Sequence, residues 1–135
     1  MNSKRVLWVE DDHYRLRRLV NPLIKEGIEV TFIGDVESAK KAIEMDGGFN
    51  LYLIDLIIPE SARPRMKGDP APQALAGIEL IKHIRNIYGN SIPILVLTIV
   101  KDENVQRVIS SLNAKWLTKG ILKPSELRNE LLTLI

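Results

Sequence analysis

The chain has 135 residues, the size of one ordinary domain, and its 45% hydrophobic and 27% charged residues are typical of a soluble globular protein rather than a disordered or fibrous one. It contains no cysteine, which excludes disulfides, thiolate metal ligands and cysteine nucleophiles. The lysines and arginines behind its net charge of +2 are scattered, and its longest apolar runs, such as residues 92–100, are too short to cross a bilayer. No signal peptide is evident, so we expect a cytoplasmic protein. The scattered charges and the short apolar runs lead us to expect no direct binding to nucleic acid or membrane.

The first predicted unit is a strand, an acidic loop and a helix. Residues 5–9 are apolar enough for a buried strand, and three acids, Glu10, Asp11 and Asp12, follow it directly. The helix after them contains Pro22, which removes a backbone donor and predicts a kink, and Gly27 marks its end. Asp12 is interpreted as the cap of this helix rather than a metal ligand.

The same alternation continues to the end of the chain. Further strands are predicted at residues 28–33, 51–54, 92–98 and 116–118. Further helices are predicted after Asp35, at about 73–86, at 102–112 and at 124–135. Residues 60–74 are rich in proline and poor in apolar residues, which predicts a long inserted loop between the third strand and the third helix. We therefore expect one domain over residues 1–135.

Five strands that alternate with helices predict an α/β fold. Crossover connections between parallel strands are right-handed and place helices on both faces of the sheet. The expected architecture is a doubly wound five-stranded parallel sheet in a three-layer αβα sandwich, the (βα)5 flavodoxin-like arrangement. Its functional crevice lies beyond the carboxyl ends of the strands.

Polar side chains are predicted to converge at those strand ends. The first strand leads to Glu10 and Asp11, the third to Asp55, the fourth to Thr98 and the fifth to Lys119. Clustered carboxylates repel one another, and a hard divalent cation such as magnesium is the usual compensation. A lysine and a hydroxyl nearby can bind phosphoryl oxygens, so the set suits phosphoryl transfer onto a carboxylate.

At this point the chain resembles the receiver domains of two-component response regulators. The resemblance rests on ordered landmarks that cover nearly the whole chain: the acidic pair in WVEDD at the end of the first strand, IDLIIP with Pro59 four residues after Asp55, Gly77 at the third helix, VLT ending in Thr98, and WLTK ending in Lys119. It implies a receiver fold and a signalling domain that accepts a phosphoryl group, not an enzyme that turns over external substrates.

The resemblance also implies roles for individual residues. Asp55 would be the phosphoacceptor, and Mg2+ or Mn2+ would be bound by Glu10, Asp11, Asp55 and the backbone carbonyl of Ile57. Lys119 would contact the phosphoryl group. Two residues, Thr98 and Trp116, would form the conformational switch, although Trp116 taken alone is equally well explained as a half-buried core aromatic.

The resemblance implies partners as well. A histidine kinase or a phosphotransfer protein would be the phosphodonor, and a downstream target protein or output domain would read the switch. The face made by the predicted fourth helix, fifth strand and fifth helix would change on phosphorylation and could support a homodimer.

Three departures from the family pattern leave alternatives open. The insertion at residues 60–74 could cover the site, slow hydrolysis or bind a partner. Ile99 is bulkier than the usual small residue and could restrict access to Asp55. Lys123, which precedes a proline, competes with the preferred Lys119. The main alternative function is a pseudo-receiver, a protein-interaction module that works without phosphorylation. A phosphohydrolase is disfavoured because Ile57 stands where its second aspartate would be.

Overall fold

The computed structural model of the chain describes residues 3–64, 66–68 and 75–135. Its sheet has five strands: β1 (Arg5–Val9), β2 (Glu29–Ile33), β3 (Leu51–Ile54), β4 (Ile94–Thr98) and β5 (Lys115–Thr118). They lie in the order β2-β1-β3-β4-β5, and every neighbouring pair is parallel. The predicted doubly wound sheet is therefore confirmed, and its strand order reverses between β1 and β3, where a crevice is expected.

The helices are α1 (His13–Leu16), α2 (Asn21–Lys25), α3 (Val36–Met45), α4 (Ala76–Tyr88), α5 (Glu103–Ser111) and α6 (Pro124–Leu134). A 3-10 turn, Arg17–Leu19, separates α1 from α2. The prediction of a single kinked first helix is wrong. Pro22 lies in the first turn of α2, where no intrahelical donor is required, so the chain starts a new helix there instead of bending an existing one.

Two apolar layers enclose the sheet, as the three-layer prediction requires. On one face Leu7 and Val9 pack with buried residues of α3, α4 and α5. On the other face Val6 and Trp8 pack with buried residues of α2 and α6. Successive residues of a strand point to opposite faces, so β1 contributes to both layers and is wholly buried from Val6 onward.

Arg85 fastens the C-terminal end of α4 to neighbouring loops. Its guanidinium donates to the carbonyl oxygens of Ile92 at 2.7 Å, Leu112 at 2.8 Å, Gly89 at 2.9 Å and Asn113 at 3.0 Å. Charged hydrogen bonds of this kind are stronger than neutral ones. They hold the loops that lead into β4 and β5 at the end of the sheet opposite the strand carboxyl ends.

The predicted insertion is partly described. Residues 60–64 and 66–68 contain turns and bends, whereas residues 65 and 69–74 lie outside the described part of the chain. The predicted start of the third helix at residue 73 falls among the latter, and the described helix, α4, begins at Ala76. In the described residues, none of the helices has both the length and the apolar character needed to span a membrane.

Candidate functional site

Three carboxylates meet at the carboxyl ends of β1 and β3. Glu10, Asp11 and Asp55 each offer an oxygen, and these atoms all lie within 4.8 Å of one another. The backbone fixes two of them, because Glu10 N donates to Ile33 O at 2.8 Å and Asp55 N donates to Val9 O at 3.0 Å. Strand pairing thus continues one residue beyond β1 and β3. It places the side chains of Glu10 and Asp55 at the edge of the sheet formed by the carboxyl ends of the strands.

Lys119 joins this cluster from the end of β5. Its Nζ contacts the carboxylate of Glu10 and lies 2.8 Å from Asp55 Oδ2. Its backbone N donates to Thr98 O at 2.9 Å, which extends the pairing of β4 and β5 past the last strand residue. Lys123, the competing lysine of the sequence analysis, lies at the start of α6 as its N-terminal cap residue. The structure therefore brings Lys119, and not Lys123, to the carboxylates.

Glu10 is the most deeply buried carboxylate of the site, with 1% of its surface exposed. Burial raises the pKa of Glu10 to about 7, although hydrogen bonds from Lys119 and from Asp12 N oppose the shift. The neighbouring charge of Asp55 adds to the rise. Burial acts to lower the pKa of Lys119, but the hydrogen bonds to Asp55 and Glu10 outweigh it and leave that pKa raised. The lysine therefore stays charged, whereas Glu10 keeps a proton at pH values where an exposed glutamate has lost it.

A cavity of about 320 Å3 opens onto the cluster. Its lining consists of the four acids and the lysine together with two isoleucines: Glu10, Asp11, Asp12, Asp55, Ile57, Ile99 and Lys119. Asp55 is only 4% exposed, and its remaining access to solvent is at this cavity, which it helps to line. Ile99 stands at the cavity with 61% of its surface exposed, where the sequence analysis expected it to affect access.

The two predicted switch residues, Thr98 and Trp116, are not among the residues that line the cavity. Thr98 is fully buried at the end of β4, and its Oγ1 accepts a hydrogen bond from Val100 N at 3.3 Å. Trp116 is half-buried on β5, beside Val96 of β4. Its Nε1 is buried, and in the described residues it has no hydrogen-bond partner. The roles of both residues in switching remain predictions.

Asp12 does not act as the predicted side-chain cap of the first helix. It occupies the position before α1, but its carboxylate makes no capping hydrogen bond. Instead Asp12 Oδ2 lies 2.6 Å from Arg15 NH2, in an ion pair one helical turn apart. The arginine competes successfully for the carboxylate, which the sequence analysis did not consider.

Gly77 was a landmark of the receiver pattern in the sequence, with no physical reason given for a glycine there. The structure supplies one, since Gly77 N donates to Leu56 O at 3.0 Å and the first turn of α4 lies directly against the backbone of Asp55 and Leu56. A Cβ atom on Gly77 would lie 2.2 Å from Asp55 O and 2.6 Å from Leu56 Cα, closer than real Cβ contacts. Only glycine permits this approach of α4 to the phosphoacceptor candidate.

No model of a known protein family matches the chain. One curated relative, the Detocs response regulatory protein DtcB of Vibrio alginolyticus, is 31% identical over 97 residues. The match covers 69% of this chain and 64% of that protein, so the chain spans less than two thirds of the relative's length.

The fold has counterparts among solved structures. A CheY-like response regulator receiver domain from Methanospirillum hungatei JF-1 superposes with a TM-score of 0.76 at 21% identity, over 98% of this chain and 93% of that one. The chain has the receiver-domain fold. The chemotaxis protein CheY4 of Vibrio cholerae has the same fold, with a TM-score of 0.70 at 23% identity over 99% of this chain and 100% of that one. The receiver fold that the sequence resemblance implied is thereby confirmed, and the carboxylate cluster lies at the crevice of that fold.

Proposed function

We propose that this chain is a response-regulator receiver domain that accepts a phosphoryl group on Asp55 in a two-component phosphorelay. The observation that carries the proposal is the convergence of three carboxylates and one lysine at the switch point of a receiver fold, beside a cavity that Asp55 helps to line. A structural acid needs a partner but no cavity. Asp55, the candidate nucleophile, has both a partner, Lys119, and a cavity beside it.

The donor set fits a hard divalent cation. Glu10, Asp11 and Asp55 present oxygen ligands within 4.8 Å of one another, and Lys119 carries a single positive charge against these three carboxylates. Magnesium or manganese prefers such oxygens and keeps waters that a phosphate can replace. We infer that these three residues and the Ile57 carbonyl hold the ion. When bound, it would neutralise charge on the transferring phosphoryl group.

The chain's own residues account for the rest of the reaction. A carboxylate oxygen of Asp55 attacks phosphorus, a P–O bond forms, and the bond to the donor breaks with its electron pair leaving on the donor. Lys119, now 2.8 Å from Asp55 Oδ2, is close enough to follow the new phosphoryl oxygens and balance their charge. Thr98 would move toward the same oxygens, and Trp116 would follow it inward.

The donor and the readout follow from the same proposal. A histidine kinase or a phosphotransfer protein supplies the phosphoryl group, and a target protein or output domain reads the altered face made by α5, β5 and α6, through which the chain could also form a homodimer. The chain would work in the cytoplasm and assist only its own phosphorylation and dephosphorylation. The DtcB relative, itself described as a response regulatory protein, supports this assignment.

Intact-mass analysis after incubation with acetyl phosphate, with and without Mg2+, tests the proposal. We expect a magnesium-dependent phosphoryl adduct on the native chain and none on Asp55→Asn. Asp102→Asn is the matched control, because Asp102 caps α5 and asparagine caps equally well, so the adduct should persist.

The alternative function has its own outcome in the same experiment. A folded native chain that binds no Mg2+ and forms no adduct would favour the pseudo-receiver, an interaction module independent of phosphorylation. If Mg2+ binds but no adduct forms, deleting residues 61–72 tests whether the insertion restricts access to Asp55.

A further inference from the structure

The segment that follows Asp55 is attached to two helices at once. At its start, Leu56 O accepts the hydrogen bond from Gly77 N of α4 at 3.0 Å. At its end, Pro59 O accepts from Val36 N and Glu60 O accepts from Glu37 N, each at 2.9 Å. Residues 56–60, which we call the tether, therefore connect the phosphoacceptor candidate with the N-terminal ends of both α4 and α3.

The attachment to α3 supplements an ordinary helix cap. The first amide groups of a helix have no intrahelical acceptor and must find one elsewhere. In α3 the amides of Val36 and Glu37 donate to the tether carbonyls. The third amide, Ser38 N, donates to the capping carboxylate of Asp35, at 2.9 Å from Oδ2. The α3 N-terminus thus depends on the position of the tether.

The tether is too short and too constrained to absorb a displacement at Asp55. Only three residues separate Asp55 from Pro59, and one residue spans at most about 3.6 Å. Proline fixes its own φ and restricts Ile58 before it, and Ile58 is also buried in the core at 6% exposure. A shift of the backbone at Asp55 must therefore move either α4 or the carbonyls that hold α3.

We propose that the tether transmits displacements of Asp55 to the N-terminus of α3, and that Gly77 is a positioning residue that holds the tether against α4. Resting on the proposed phosphoacceptor role of Asp55, this makes α3 a second element that responds to phosphorylation, on the other side of α4 from the face made by α5, β5 and α6. The responding groups are the amides of Val36 and Glu37.

Gly77→Ala tests the link without any ligand. The new Cβ would collide with the backbone of Asp55 and Leu56, so that backbone must shift. We expect hydrogen exchange, measured amide by amide by NMR, to become faster by roughly tenfold or more at Val36 and Glu37. Exchange at Asp46 N, which donates to Ala42 O at the far end of α3, should stay unchanged.

Gly120→Ala is the matched control. It adds the same methyl group next to Lys119, but nothing lies within 4 Å of the added atom and no positive φ is involved. It should leave all these amides as they are in the native chain. Unchanged exchange at Val36 and Glu37 in a folded Gly77→Ala protein would overturn the link.

A second pair of variants decides the case if Gly77→Ala fails to fold. Pro59→Gly loosens the tether at its α3 end, and the link predicts faster exchange at the other end, at Gly77 N. Pro64→Gly, in the exposed part of the insertion, should not affect that amide. Equal exchange at Gly77 N in the two variants would refute the proposal.

A third arm separates this inference from the proposed function. The native chain is treated with acetyl phosphate and Mg2+, and the adduct is confirmed by mass before exchange is measured. An adduct with altered exchange at Val36 and Glu37 supports the link, and an adduct without it overturns the link. Absence of an adduct counts against the phosphoacceptor role only, because the variant comparisons still decide whether the tether couples the two ends.

Discussion

Replacing the buried acid Glu10 with glutamine should remove a pH-dependent penalty on folding. The pKa of Glu10 is raised by burial to about 7 in the folded chain, from 4.5 as its ordinary value. Between these two values the folded protein keeps a proton that the unfolded chain releases. Stability therefore falls as pH rises from about 4.5 to about 7, and the full penalty is present above pH 7.

The size of the penalty follows from the shift. A shift from 4.5 to about 7 corresponds to roughly 3 kcal/mol, at 1.36 kcal/mol per pKa unit. Glutamine keeps the shape of the side chain without its charge, and Lys119 retains its ion pair with Asp55. We expect Glu10→Gln to be more stable than the native chain at pH 8 by roughly 1–3 kcal/mol, and this difference should fall below about 1 kcal/mol at pH 5.

Urea unfolding in EDTA at several pH values between 5 and 8 measures this difference. Other titrating groups cancel when the variant is subtracted from the native chain, because both contain them. Glu29→Gln is the control, since Glu29 is largely exposed and should show no such trend. A native-minus-variant difference that is constant from pH 5 to pH 8 would show that the burial argument for Glu10 is wrong. With Mg2+ at pH 8 the native chain should gain more stability than Glu10→Gln.

Three further predictions concern the charge of Lys119, the hydrogen bonds of Arg85 and the access of small phosphodonors to Asp55. Lys119→Met should destabilise the folded chain by about 3 kcal/mol at pH 8 in urea unfolding, because it leaves two buried carboxylates without their cation; an unchanged unfolding midpoint would contradict this. Arg85→Met should cost about 3 kcal/mol in the same assay through the loss of its carbonyl contacts, whereas Arg128→Met, in an exposed ion pair, should cost under about 1 kcal/mol. Ile99→Ala should speed phosphorylation by acetyl phosphate by widening the cavity mouth, and Ile121→Ala, outside the cavity lining, should not; equal rates would exclude Ile99 as an obstacle.

The sheet and the site could be predicted from the sequence for the same reason. Each strand is a short apolar run, and in a parallel sheet all carboxyl ends meet at one edge. Asp55 and Lys119 are 64 residues apart in sequence, yet both follow such a run directly, so their contact was predictable without any distance information.

Other features depend on which of two possible interactions a residue makes, and the order of residues along the sequence does not show this. Pro22 could kink a helix or begin one, and the choice depends on how the neighbouring turns pack on the sheet. Asp12 could cap α1 or pair with Arg15, and both options are local and similar in energy. The carbonyl contacts of Arg85 join loops far apart in sequence, and arginine has no periodic pattern that reveals them.

Charge balance explains why the cluster would respond to phosphorylation. Three carboxylates and Lys119 give a formal charge of −2, which a divalent cation would bring to zero. Conversion of Asp55 to an acyl phosphate replaces one negative charge with nearly two, so the balance is lost again and new oxygens compete for Lys119. A movement of Lys119 would displace the end of β5, which it follows directly. It would also act on β4, because Lys119 N donates a hydrogen bond to Thr98 O. On the proposed function, Lys119 must change its partner when Asp55 is phosphorylated. This movement would act on β5, which carries Trp116, and on the buried Thr98.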